Sequence, residues 1–211
     1  MLLPRFSAPL VLGAALALSA CATTPYTGPV EVTRFVAPAP TWLGQGTIAV
    51  IFPDEVKNLG ARAAMANAVS AELSRLGYTV VAEGAAADQT AAIRTSRAPI
   101  AAAPVERRGP VNVGVGGSAG SFGSGLGVGV GINLGGGRES PEAMTTLEVR
   151  ITRGGSEPLW EGRAQIATGV KSPYSQVETS ARTLAAGLFR DFPGGNGETV
   201  TISVKKLQGT K

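Results

Sequence analysis

From residue 30 onward the hydrophobic pattern switches between a period of two and a period of three to four, and the elements follow in order. Residues 30–36 (VEVTRFV) alternate apolar and polar positions, which predicts a half-buried strand. Residues 47–52 (TIAVIF) are apolar on both faces, the pattern of a central strand. Between Pro53-Asp54, read as a start signal, and Gly77, read as a stop, Val56, Leu59, Ala63, Ala66, Val69, Leu73 and Leu76 recur every three or four residues. That spacing predicts a helix. Residues 78–82 (YTVVA) return to strand, and a strand-helix-strand succession favours two parallel strands in one sheet. Residues 88–95 are a weaker strand pattern, and 98–104 read as an Ala/Pro linker.

Further on, residues 145–152 alternate cleanly, with Leu147, Val149 and Ile151 on one face and Glu148 and Arg150 on the other. Gly154-Gly155-Ser156 makes a turn, and 159–168 (LWEGRAQIAT) return as the partner strand with Trp160, Ala164 and Ile166 toward the core. A second helix over about 174–190 carries Val177, Ala181, Leu184 and Leu188, and Pro193-Gly194-Gly195 ends it. Residues 199–205 (TVTISVK) read as a terminal strand. The sum is an α/β (α+β) fold: a single two-layer sandwich over 30–206, with a mixed β-sheet and two helices on one face. Residues 207–211 are left as a tail.

The stretch 109–137 holds 13 of the 29 glycines and no charged residue. Val111, Val113 and Val115, and later Val128, Val130, Ile132 and Leu134, alternate with Gly or Asn at period two. The insert therefore reads as a Gly-rich β-hairpin with one nearly bare face, or as a flexible loop, since glycine strands are entropically weak. Arg107-Arg108 and Arg138 flank it, which keeps contact with a membrane or with another copy of the chain open as a third reading. Gly114-Val-Gly-Gly-Ser-Ala119 fits a dinucleotide fingerprint, but Gly120-Ser-Phe-Gly-Ser-Gly after it is a poor helix, so the match is a chance product of glycine abundance.

The N-terminus adds an address. Arg5 precedes an apolar run over 10–20, whose eleven residues rise only about 16 Å as a helix, too short to span a bilayer core of about 30 Å. Residues 1–20 read as a signal peptide. Leu18-Ser19-Ala20-Cys21 directly after the run resembles the lipobox of bacterial lipoproteins, in which the cysteine is acylated and becomes the first mature residue. Cys21 is accordingly the expected lipidation site, and 22–29 (ATTPYTGP) its tether. Several acyl chains on one residue suffice for stable anchoring. Ala22 after the cysteine, by resemblance to enterobacterial sorting, favours the outer membrane over the inner one.

Composition mostly excludes. The 211 residues contain no histidine and one cysteine, so a Ser-His-Asp triad, a Cys-His dyad, a histidine zinc site and an internal disulfide cannot be built. No catalytic residue, cofactor or metal ligand is assigned, and no enzyme activity is expected. A hydrolase remains as an alternative only if a cleft gathers at least two carboxylates; Asp54, Glu55, Asp88, Glu157, Glu161 and Asp191 are the candidates, though Asp54 and Asp191 are better read as helix-end residues. Ser172 beside Lys171 forms no dyad, because neighbouring side chains diverge. Trp42 and Trp160 are read as core residues before cleft residues. Without Arg5 there are 18 basic against 15 acidic residues. The bases are scattered and aromatics are only 5%, so no nucleic-acid partner is expected.

Taken together, the lipobox, Leu73-Ser-Arg-Leu-Gly-Tyr78, Ala87-Asp88, the Gly-rich insert, Leu159-Trp-Glu-Gly162 and Phe192-Pro193 resemble a bacterial family of outer-membrane lipoproteins, domain of unknown function 4136. Gln89-Thr-Ala-Ala-Ile is less apolar than the strand expected at that place. The resemblance implies a lipid-anchored body in the periplasm and no assigned activity. The expected partners are the membrane, through the N-terminal lipid, and an envelope protein or a second copy through 109–137. The expected role is binding or envelope structure; the alternative is an oligomeric envelope or secretion-channel component that uses the hairpin.

Overall fold

The computed structural model describes residues 24–100 and 141–208, Ala39 and Ser156 excepted. The leader, Cys21, the insert 109–137 and the end of the tail lie outside the described residues. Strand β1 (Thr27–Val36) is followed by β2 (Thr47–Ile51), helix α1 (Leu59–Arg75), β3 (Thr79–Val81) and β4 (Gln89–Pro99). Then come β5 (Ala143–Arg153), β6 (Trp160–Thr168), a 3-10 turn (Pro173–Ser175), α2 (Val177–Leu188), β7 (Thr199–Ile202) and α3 (Val204–Gln208).

All seven strands join one sheet in the order β3-β2-β4-β5-β6-β1-β7. The crossover through α1 sets β2 parallel to β3, and β2 is also parallel to β4. Every other neighbouring pair is antiparallel. The fold is the α+β two-layer sandwich expected: α1 packs over β2, β3 and β4, and α2 over β1, β5 and β6. Met65, Val69 and Leu73 of α1 and Ala181, Leu184 and Leu188 of α2 bury their side chains against the strand positions Val32, Ile48, Ile93, Val149 and Ile166. Because successive strand residues point to opposite faces, the residues between these core positions line an outer face that no helix covers among the described residues.

Several local expectations need correction. Helix α1 starts five residues later than Pro53-Asp54, after Asn58, whose side chain accepts from the Ala61 amide at 3.0 Å. Asp54 has the same capping chemistry, but its carboxylate is engaged by Arg94 at 2.6 Å. The weak strand becomes an 11-residue one paired on both sides, and it takes in Ala98 and Pro99 of the expected linker. The terminal strand stops at Ile202, and 204–208 wind into a third, short helix that uses the first residues of the tail. Trp42 is not a core residue: it is 46% exposed, with the Arg153 guanidinium 3.6 Å from its ring centre. Trp160 is fully buried, as read.

At β1 the structure departs from hydrophobic patterning. Arg34, not Phe35, sits on the core face: Arg34 is 5% exposed and Phe35 52%. The reason is the C-terminus of α2, whose last carbonyls have no helical partner. Arg34 Nε donates to the Leu188 carbonyl at 2.9 Å, and NH2 donates to Gly187 at 2.9 Å and Arg190 at 2.8 Å. A cation there also suits the negative end of the helix dipole. Burial pulls the guanidinium pKa below its usual value, while the charges of Asp191 and Glu198 oppose that shift.

Candidate functional site

The outer face is built from the polar half of each alternation. Strands β5 and β6 each carry Glu-x-Arg, namely Glu148-Val149-Arg150 and Glu161-Gly162-Arg163. Their antiparallel register sets Glu148 opposite Arg163 and Arg150 opposite Glu161. Glu148 Oε1 lies 3.6 Å from Arg163, and Arg150 pairs with Glu161. The row extends to Arg94 with Asp54 on one side, and on the next row Gln165 donates to Glu31 at 2.6 Å. The Glu148 side chain is only 9% exposed, and among the described residues its Oε2 meets no hydrogen-bond donor.

Two clefts are present, one on the helix side of the sheet and one beside this framework. A groove of about 280 Å³ runs between α1 and the β2–β3 edge, walled by Val50, Phe52, Ala63, Ala66 and Val80. Arg62 closes its rim, stacked 4.5 Å from the Phe52 ring centre and bonded to Glu83 at 2.5 Å. A second cleft, of about 120 Å³, lies where the β2–α1 loop passes β4 and β5, and Asp54, Glu55, Arg94, Thr146 and Glu148 line it. Both are below the roughly 300 Å³ at which pockets begin to enclose a small molecule.

Two of the carboxylates named from sequence, the neighbours Asp54 and Glu55, do meet in a cleft, the second one, together with Glu148 of the polar face of β5. Asp54 is engaged by Arg94 and one oxygen of Glu148 by Arg163. Glu161 faces Arg150, Glu157 stands exposed beyond β5, and Asp191 lies past the end of α2 with φ 54°. Among the described residues no group of three or more His, Cys, Asp or Glu is placed to hold a metal ion. Cys21, the one assigned site, lies outside them.

At the start of β2 and β4, Asp88 and Gln89 tie the edge loop down. The Asp88 carboxylate accepts from the Thr47 amide at 2.9 Å and from its hydroxyl at 2.7 Å, and these bonds hold its pKa below the ordinary aspartate value. Gln89, buried at the first position of β4, donates to the carbonyls of Trp42 at 3.0 Å and Gln45 at 2.9 Å. A side chain with a polar end is what this place needs, which explains the departure from an apolar strand. The depressed pKa means that the folded state favours the charged carboxylate. Asp88 thus stabilises the fold at neutral pH, and the contribution is lost as pH falls through its lowered pKa. Asp88→Asn is expected to melt below the wild type at pH 7, with the gap in Tm closing below about pH 4. Thermal melts from pH 7 to pH 2 check this; a gap that stays constant with pH would count against it.

No protein-family model matches this chain, and no curated protein does either. Among solved structures, a PDZ domain protein from Parabacteroides distasonis ATCC 8503 gives a TM-score of 0.46 at 15% identity. The match covers 90% of this chain, which spans only 42% of that one. The PelC dodecamer from Paraburkholderia phytofirmans, as a single-residue variant, gives 0.39 at 12% identity over 75% of this chain and 92% of the PelC chain. A second PelC crystal form gives 0.38 at 13% identity over 75% of this chain and 93% of that one. All three likenesses are too slight to transfer a function.

Proposed function

We propose that this chain is a bacterial lipoprotein of the cell envelope, acylated at Cys21, with a periplasmic α/β body that binds an envelope component. The observation that carries this reading is the apolar run 10–20, whose last residues Leu18-Ser19-Ala20 are followed at once by Cys21, ahead of a folded body. Strand β1 begins at Thr27, so the tether between the anchor and the first paired residue is five residues, shorter than the eight read from composition. The family resemblance drawn from the same lipobox and from the 73–78, 87–88 and 159–162 motifs agrees with the outer membrane as the address. Self-association through 109–137 is the alternative use of the same anchor.

The test is metabolic labelling with palmitate in cells expressing the full chain. Wild type is expected to incorporate label and to sediment with membranes, whereas Cys21→Ser loses both completely. Equal incorporation by the two proteins would refute the anchor.

A further inference from the structure

We infer that one end of the sheet, formed by the start of β1, the end of β4, the start of β5 and the end of β6, is the surface that faces the lipid bilayer. This rests on the proposed acylation at Cys21.

The strand register brings these four ends together. Thr27 pairs with Thr168, Thr168 with Ala143, and Ala143 with Pro99. Strands stand about 4.8 Å apart, so the ends of β1 and β4 lie within roughly 15 Å of each other. Three residue steps separate Cys21 from Thr24, a reach of at most about 11 Å. An acyl group on Cys21 therefore holds this end of the body against the headgroups. The opposite end cannot take its place, because β4 and β5 are each 11 residues long, about 36 Å. With the strands upright on this end, the turn at Gly154-Gly155, which joins β5 to β6, stands about 30 Å from the lipid.

What this end exposes fits a headgroup layer. Val170 is 64% exposed, and Ala98, Pro99 and Pro173 are exposed around it. Arg97 and Lys171 are exposed on the same end and supply cations for lipid phosphates, with Glu142 and, in the first turn of α2, Glu178 as exposed acids. Arg97 is held in place by bonds to Thr145 Oγ1 at 3.3 Å and to the Ser175 carbonyl at 3.0 Å. Ile100 and Pro141, where residues 101–140 leave and rejoin the body, sit on this end too: the Ile100 amide donates to the Glu142 carbonyl at 2.9 Å. The described residues that lead to Cys21 and to 101–140 thus lie on one surface, and that surface meets the membrane.

The test uses the acylated full chain in vesicles of phosphatidylethanolamine and phosphatidylglycerol that contain brominated lipid. A polarity-sensitive fluorophore is placed at Val170→Cys or, at the far end, at Glu157→Cys. Quenching by bromine is expected to be several-fold greater at position 170 than at 157. Equal quenching at both positions, with mass spectrometry showing the acyl group on Cys21, would overturn this orientation and leave the anchor standing. A chain without the acyl group would overturn the anchor reading and the orientation with it.

Discussion

Arg34→Met is expected to destabilise the fold by about 3 kcal/mol, a drop in Tm of roughly 6–12 °C for a domain of this size. Methionine retains the aliphatic volume on the core face of β1 but brings no donor. The carbonyls of Gly187, Leu188 and Arg190 then lose the guanidinium that satisfies them. Gly187 and Leu188 are buried beneath the sheet; the Gly187 carbonyl keeps a bond from the Arg190 amide at 3.4 Å and the Arg190 carbonyl is only partly buried, so the loss falls mainly on the Leu188 carbonyl. Leaving buried acceptors without partners is costlier than the net worth of the bonds themselves. Arg34→Lys keeps the charge but presents a single ammonium where a planar fork reaches three carbonyls, so an intermediate loss is expected. Differential scanning calorimetry decides the matter: an unchanged Tm for Arg34→Met would mean that water replaces the guanidinium at no cost.

Gly162→Ala is the second large effect. A Cβ at this position would lie 2.2 Å from Trp160 Cη2, 2.8 Å from Trp160 Cζ2 and 2.7 Å from Leu188 Cδ1. The indole folds flat over the missing side chain and is locked from the other side. It stacks on Phe189 at 5.4 Å and meets Phe192 at 5.3 Å, and its Nε1 donates to the Pro193 carbonyl at 2.9 Å. One added methyl group must displace the largest fully buried side chain, and overpacking of this kind costs about 3 kcal/mol. Near-ultraviolet circular dichroism is expected to lose its tryptophan signal together with the stability. Trp160→Phe removes the overlapping ring atoms, so the same Gly162→Ala change in that background is expected to cost much less. Additive losses in the two variants would show that the two sites do not compete for space.

These two sites mark how far patterning reads this chain. The period-two runs of β5 and β6 and the apolar run of β2 locate their strands within two residues, because burial on one or both faces leaves a direct imprint on composition. Helix α1 is equally plain along its buried stripe, yet its start is not, since Asp54 and Asn58 offer the same capping chemistry and the fold uses Asn58 as the cap while Asp54 bonds Arg94. Strand β4 is understated because Gln89 serves the loop above it instead of the core. Arg34 is not readable at all: its burial depends on where α2 ends, 154 residues away in the chain. Of the outer-face charges, Glu148 and Arg150 are legible as the polar side of β5, while the matching Glu161 and Arg163 and their pairing emerge only with the register.

That pairing has a consequence for assembly of the sheet. With Glu and Arg two apart on both strands, the correct antiparallel alignment is the one that puts unlike charges opposite each other in both pairs. A slip of two residues keeps every apolar side chain on its proper face, so hydrophobicity alone does not reject it. Slipping one way sets Glu148 against Glu161, and slipping the other sets Arg150 against Arg163. The charges thus act as a key cut for one position, turning a sliding fit into a single stop.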